Sequence, residues 1–136
     1  MATINKNIIK PKRVGYSKPI EKDMDNSSNY YNSEAWRRLR AIYVKEHPVC
    51  EICLKYEHIE PTVDVHHRYR FMAEHTEIGR WNSFLNYNNL ISLCKPCHNM
   101  LHYKMRHNRL NSCDTLTEDE WKQGKQMYAD GSAGYQ

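Results

Sequence analysis

The chain has 136 residues, 40% of them hydrophobic and 26% charged, with a mean hydropathy of −0.89 and a formal net charge of +4. That length holds one domain with short tails, and a core so small is expected to need help from a metal staple. No apolar run approaches the ~20 residues that span a bilayer, and no signal-peptide core follows Met1, so the expectation is a soluble, cytoplasmic protein without a membrane partner.

Residues 1–30 carry Lys6, Lys10, Lys12, Arg13, Lys18 and Lys22 with few large apolar groups, and read as a flexible basic N-terminal arm. Such an arm either seeks phosphates through counterion release or is a solvated leader. The folded domain is expected over 31–130. Its first helix runs from Glu34 to Glu46, capped by Ser33 and stopped by Pro48. Ala35, Trp36, Leu39, Ile42 and Tyr43 define its apolar face, while Arg37, Arg38 and Arg40 project elsewhere, towards solvent or backbone phosphates. A C-x-x-C pair, Cys50 and Cys53, precedes a polar hairpin-like stretch and the strand Thr62–His67. Residues 68–88 read as a long connection containing Arg68, Arg70, Arg80 and Trp81. The segment from Leu90 to about His107 reads as helical after its Cys94-Lys95-Pro96-Cys97 turn. Thr117 and Glu120 form a capping-box pattern that opens a last helix to Ala129, with 131–136 as a frayed tail.

Two C-x-x-C pairs in a reducing compartment point to zinc rather than to disulfides, with Cys113 left over as a free thiol. Four thiolates satisfy a tetrahedral Zn²⁺ and leave no open position, so the role is structural. The 40 residues between Cys53 and Cys94 exceed the ~15–20 of common zinc ribbons, so the pairs must clamp the base of an inserted element. Inside that clamp lie His66 and His67, which a strand sends to opposite sides, and Asn89. His98 and His102 follow the second pair at i, i+4 on one helix face, able to grip one cation that His66 could complete.

These residues carry a specific resemblance. The run Trp36-Arg37-Arg38-Leu39-Arg40, Pro48 to Cys53, Val65-His66-His67 and Asn89 to His98 resembles the HNH endonuclease family over about residues 33–107. The resemblance implies an α+β, ββα-metal (His-Me finger) fold stapled by a four-cysteine zinc site and flanked by helices, and a metal-dependent endonuclease that hydrolyses DNA phosphodiesters. It implies His67 as general base, Asn89 as its brace, and His66, His98 and His102 as ligands of the catalytic divalent ion. Many relatives have Asp where His66 stands, and Asp64 lies two residues too early to take that place. An all-imidazole set favours Mn²⁺, Co²⁺ or Ni²⁺ over Mg²⁺. Arg68, Arg70 and Arg80, with Arg37 and Arg38, are the candidates for holding DNA phosphates. Small relatives are often encoded by phages or mobile elements, and some assist DNA packaging, which makes packaging machinery a further implied partner. The competing reading is a non-enzymatic zinc module that binds DNA or protein; a nuclease acting on RNA is a third.

Overall fold

The computed structural model describes residues 27–131. Residues 1–26 of the expected basic arm and 132–136 of the expected tail lie outside the described residues. The fold begins before the boundary expected at residue 31, with a helical turn α1 (Ser28–Tyr31) whose Tyr30 is buried. Tyr30 packs edge-on against Phe71 and tilted against Phe84, and that aromatic contact is what draws the turn onto the domain.

Helix α2 (Glu34–Glu46) starts on the Ser33 hydroxyl, which accepts the Trp36 N–H, and buries Ala35, Trp36, Leu39 and Tyr43. Ile42, expected on that face, is 38% exposed, because the buried stripe runs from Leu39 to Tyr43 and leaves Ile42 at its edge. The first cysteine pair opens a short helix α3 (Glu51–Lys55), with the Cys50 sulfur accepting the Cys53 N–H. The chain then doubles back: Cys50 N–H donates to Glu60 O at 2.7 Å and Thr62 N–H to Pro48 O at 2.9 Å, so the polar stretch is hairpin-like as expected.

Strands β1 (Asp64–His67) and β2 (Leu90–Leu93) form a two-stranded antiparallel sheet with Asp64 opposite Leu93 and His67 opposite Leu90. The expected helical character of 90–107 therefore starts five residues late. Leu90–Leu93 is a short run, apolar except for Ser92 and buried throughout, which periodicity alone cannot tell from helix. Helix α5 (Lys95–Asn108) follows, with Pro96 in its first turn where the missing N–H is harmless. The 68–88 connection is not irregular throughout. It holds a 3₁₀ turn (Phe71–Ala73), helix α4 (Glu77–Phe84) and a second 3₁₀ turn (Tyr87–Asn89). Thr76 caps α4 by accepting the Gly79 N–H; the early Gly79 and the eight-residue length hid the helix in the sequence. Helix α6 (Glu118–Ala129) has the full Thr117/Glu120 capping box and lies on α5.

Because strand side chains alternate, the sheet divides the interior in two. Ile91 and Leu93 enter a cluster with the four paired cysteines, Met100 and Leu101. Val65 and Leu90 enter an aromatic cluster with Trp36, Phe71 and Phe84. Among the described residues no helix is long and apolar enough to cross a membrane.

Candidate active site and metal centres

The four paired cysteines are buried and unbridged. The Cys53 sulfur lies 3.6 Å from that of Cys94 and 3.7 Å from that of Cys97. Four sulfurs about 2.3 Å from a shared tetrahedral ion stand about 3.8 Å apart, so the spacing fits one metal ion and is far too long for a disulfide. Hydrogen bonding among the thiols pushes Cys53 down and Cys94 and Cys97 up, because four like charges cannot share this volume without a cation. Helix α6 closes the site. Trp121 donates its indole N–H to the Cys53 sulfur at 3.3 Å, and the Lys125 ammonium lies 3.8 Å from the Cys94 sulfur.

On the same face of β1 as Asp64, His66 points towards α5, where His98 and His102 bring their ligand nitrogens within 4.8 Å of one another and of His66. The Nε2 atoms of His98 and His102 are 3.0 Å apart. His98 donates Nδ1–H to Asp64 at 3.0 Å, so its Nε2 keeps a lone pair aimed at His102. Two such nitrogens converging on one point suit a cation at ~2.0–2.1 Å from each. His66 is anchored by Nε2–H donating to the Cys113 carbonyl at 3.3 Å. Burial holds all three imidazoles below the ordinary histidine range, as neutral ligands must be.

His67 leaves the other face of the strand and is buried under Phe84 and Trp36, with ring centroids 4.8 and 5.1 Å away. Its Nε2–H donates to the Phe84 carbonyl at 3.0 Å. A carbonyl can only accept, so the tautomer is fixed and Nδ1 carries the lone pair. The Tyr31 hydroxyl lies 3.5 Å from that nitrogen. Burial lowers the His67 pKa to about 4, so the ring is neutral at pH 7.

Asn89 does not touch His67. Its side chain accepts the Tyr69 N–H at 2.9 Å and donates to the Tyr69 and Ser83 carbonyls at 3.1 and 3.2 Å. It therefore ties the strand end two residues past His67 to the residue before Phe84, the acceptor that orients the imidazole.

One cavity of about 760 Å³ is lined by His66, His67, His98 and His102 together, with Tyr31, Asp64 and Arg70. Of the expected phosphate-binding arginines only Arg70 lines it. Arg68 pairs with Asp114 at 2.7 Å and Glu51 at 3.8 Å and donates to Leu90 O, holding β1 to the loop before α6. Arg80 bonds Glu74 O, Arg37 bonds Asn32 O, and Arg38 pairs with Glu34. Arg40, Arg106 and Arg109 line the cavity instead. Arg40 stood in the sequence reading beside Arg37 and Arg38 as a residue of α2 projecting towards solvent or phosphates, without being singled out for the site. Arg106 and Arg109 fall at the end of α5, and nothing in their spacing marks them; Tyr31 stood at the first position of the expected domain with no motif to single it out.

No protein-family model matches the chain, and no curated protein does. Among solved structures it matches the HNH endonuclease of the deep-sea thermophilic bacteriophage GVE2, a crystal structure with manganese ion, at 27% identity and a TM-score of 0.54 over 67% of this chain and 98% of that one. The chain is thus similar to a phage HNH endonuclease in fold and, more weakly, in sequence.

Proposed function

We propose that the chain is a metal-dependent DNA endonuclease, with zinc in the four-cysteine site and a divalent transition metal held by His66, His98 and His102. The observation that carries the reading is that a neutral histidine with a fixed, unprotonated Nδ1 lines the same cavity as three converging ligand histidines. A module that only binds has no use for such a base beside a metal centre. The similarity to an endonuclease solved with manganese supports the same reading.

The chain's own residues do the following. His67 Nδ1 takes a proton from the attacking water, and the Nε2–H bond to Phe84 O stabilises the imidazolium that results. Asn89 holds the two strand ends so that this geometry persists. Arg70, Arg106 and Arg109, on the cavity wall, contact the phosphates flanking the scissile one. When bound, the divalent ion supplies Lewis-acid stabilisation of the charge on the phosphate and the leaving oxygen. Cysteines in two knuckles, with sulfurs at tetrahedral spacing and no open position, select zinc for the structural site. A phage setting and association with packaging machinery are consistent with the phage origin of the similar structure.

The test is cleavage of supercoiled plasmid with a panel of divalent ions. Nicking is expected with Mn²⁺, Co²⁺ or Ni²⁺ at lower concentration than with Mg²⁺, and His67→Ala is expected to lose roughly 10²–10⁴ in rate while still binding DNA. A His67→Ala protein that cuts within about tenfold of the parent would remove His67 from the reaction.

A further inference from the structure

Asp64 is two residues before His66, too far along the strand to occupy the position next to the base. The strand's alternation nevertheless puts it on the same face as His66, at the open end of β1 nearest the start of α5. There its Oδ2 accepts from His98 Nδ1 at 3.0 Å and from the Lys95 ammonium at 3.2 Å. The carboxylate lines the same cavity as the three histidines. Asp64 and His98 are 28% and 22% exposed in their side chains, so the bond between them is partly screened from competing water.

We propose that Asp64 is the positioning residue of the three-histidine centre, fixing His98 in the tautomer that presents Nε2 to a divalent transition-metal ion and supplying the negative charge its ligands lack. Lys95, drawing on the same oxygen, opposes it. The inference rests on the metal-dependent reading above for the presence of the cation. Three neutral imidazoles leave both charges of a divalent ion uncompensated. A carboxylate behind one ligand strengthens that ligand's lone pair and offsets part of the charge without occupying a coordination position. The open position needed by a phosphate is thereby kept, which a carboxylate ligating directly would reduce.

Two variants separate orientation from charge. Asp64→Asn keeps an oxygen that can accept from His98 Nδ1–H but removes the charge; Asp64→Ala removes both. The experiment titrates Co²⁺ into zinc-loaded protein and follows the visible bands of cobalt on nitrogen ligands, with the thiolate charge-transfer band as a check that the cysteine site is undisturbed. The expected order of affinity is Lys95→Gln above the parent, the parent above Asp64→Asn, and Asp64→Ala weakest, the last roughly 10–100-fold below the parent. Nitrogen NMR of the metal-free histidines adds a readout that mere loss of packing does not move. His98 is expected as the Nδ1–H tautomer in the parent and in Asp64→Asn, and as a tautomer mixture in Asp64→Ala. Equal Co²⁺ affinity across the set overturns the proposal alone. A change in coordination number in Asp64→Asn also overturns it, since Asp64 would then be a direct ligand. A parent that binds no Co²⁺ at nitrogen overturns the three-histidine centre itself.

Discussion

His66 and His67 are neighbours in sequence and reach different chemistry because a strand sends them to opposite faces, one to α5 and one into the aromatic core. Their brace is as particular. Asn89 presents two donors to the carbonyls of Tyr69 and Ser83 and one acceptor to the Tyr69 N–H. Asn89→Ala removes these bonds and is expected to slow cleavage by roughly tenfold, about the worth of one or two net hydrogen bonds. Asn89→Asp is expected to be worse, because a carboxylate would face both carbonyls with no proton to donate. Plasmid-nicking rates decide it, and an Asp variant as fast as the parent would show that the brace is not needed. Protonation is governed here as well. Burial holds His67 at about 4 and lowers His66, His98 and His102. All four are depressed relative to the unfolded chain, so unfolded molecules take up protons first as pH falls below about 6.5. Their contribution to stability is therefore full above that pH and is lost on descent towards 4. The cleavage rate should likewise hold to below pH 6, and an acid limb with its midpoint at the ordinary histidine value of about 6.5 would contradict the buried, neutral His67.

Helices α5 and α6 meet at a glycine. A Cβ on Gly124 would stand 2.9 Å from the Met100 Cβ, an atom too close to the backbone to swing aside. Gly124→Val is expected to destabilise the fold by about 1–3 kcal/mol, the usual range for overpacking, measured as a lower denaturant midpoint. An unchanged midpoint would mean that α6 does not dock as described. At this scale the sequence was legible where local chemistry is strong. The Ser33 cap before α2 and the Thr117/Glu120 box before α6 fall where the spacing put them. It was illegible where tertiary contact decides. Leu90–Leu93 is a strand because Asp64–His67 pairs with it, and Ser28–Tyr31 is folded because Tyr30 finds Phe71 and Phe84. The candidate site divides in the same way. The ligand spacing of the cysteines and histidines is written in the sequence. That Arg68 turns inward to Asp114, while Arg109 from the end of α5 reaches the cavity, depends on where α5 stops. Arg109 caps that end in a left-handed conformation, with φ of 52°, a backbone choice that no periodicity reports.

Among the described residues the two candidate metal sites share α5: Cys97 sits in its first turn, with His98 beside it and His102 one turn on. A core divided into two small clusters leaves the chain dependent on the four-cysteine staple. Cys97→Ser is expected to leave a largely unfolded or aggregating protein, since a structural zinc is worth on the order of 10 kcal/mol in small domains. A variant that melts sharply at the parent's temperature, with no zinc by mass spectrometry, would show that the fold stands without its staple. The indole of Trp121, hydrogen-bonded to the Cys53 sulfur, has a practical corollary. Thiolates quench tryptophan emission and a closed-shell metal alters that quenching, so the protein carries an optical probe of its own structural site. Trp36, its ring against the His67 imidazole, is a second, at the other end of the sheet. With Trp81 the chain has three tryptophans in all, and keeping one at a time would let unlabelled protein report zinc occupancy and the state of the base as separate colours and lifetimes.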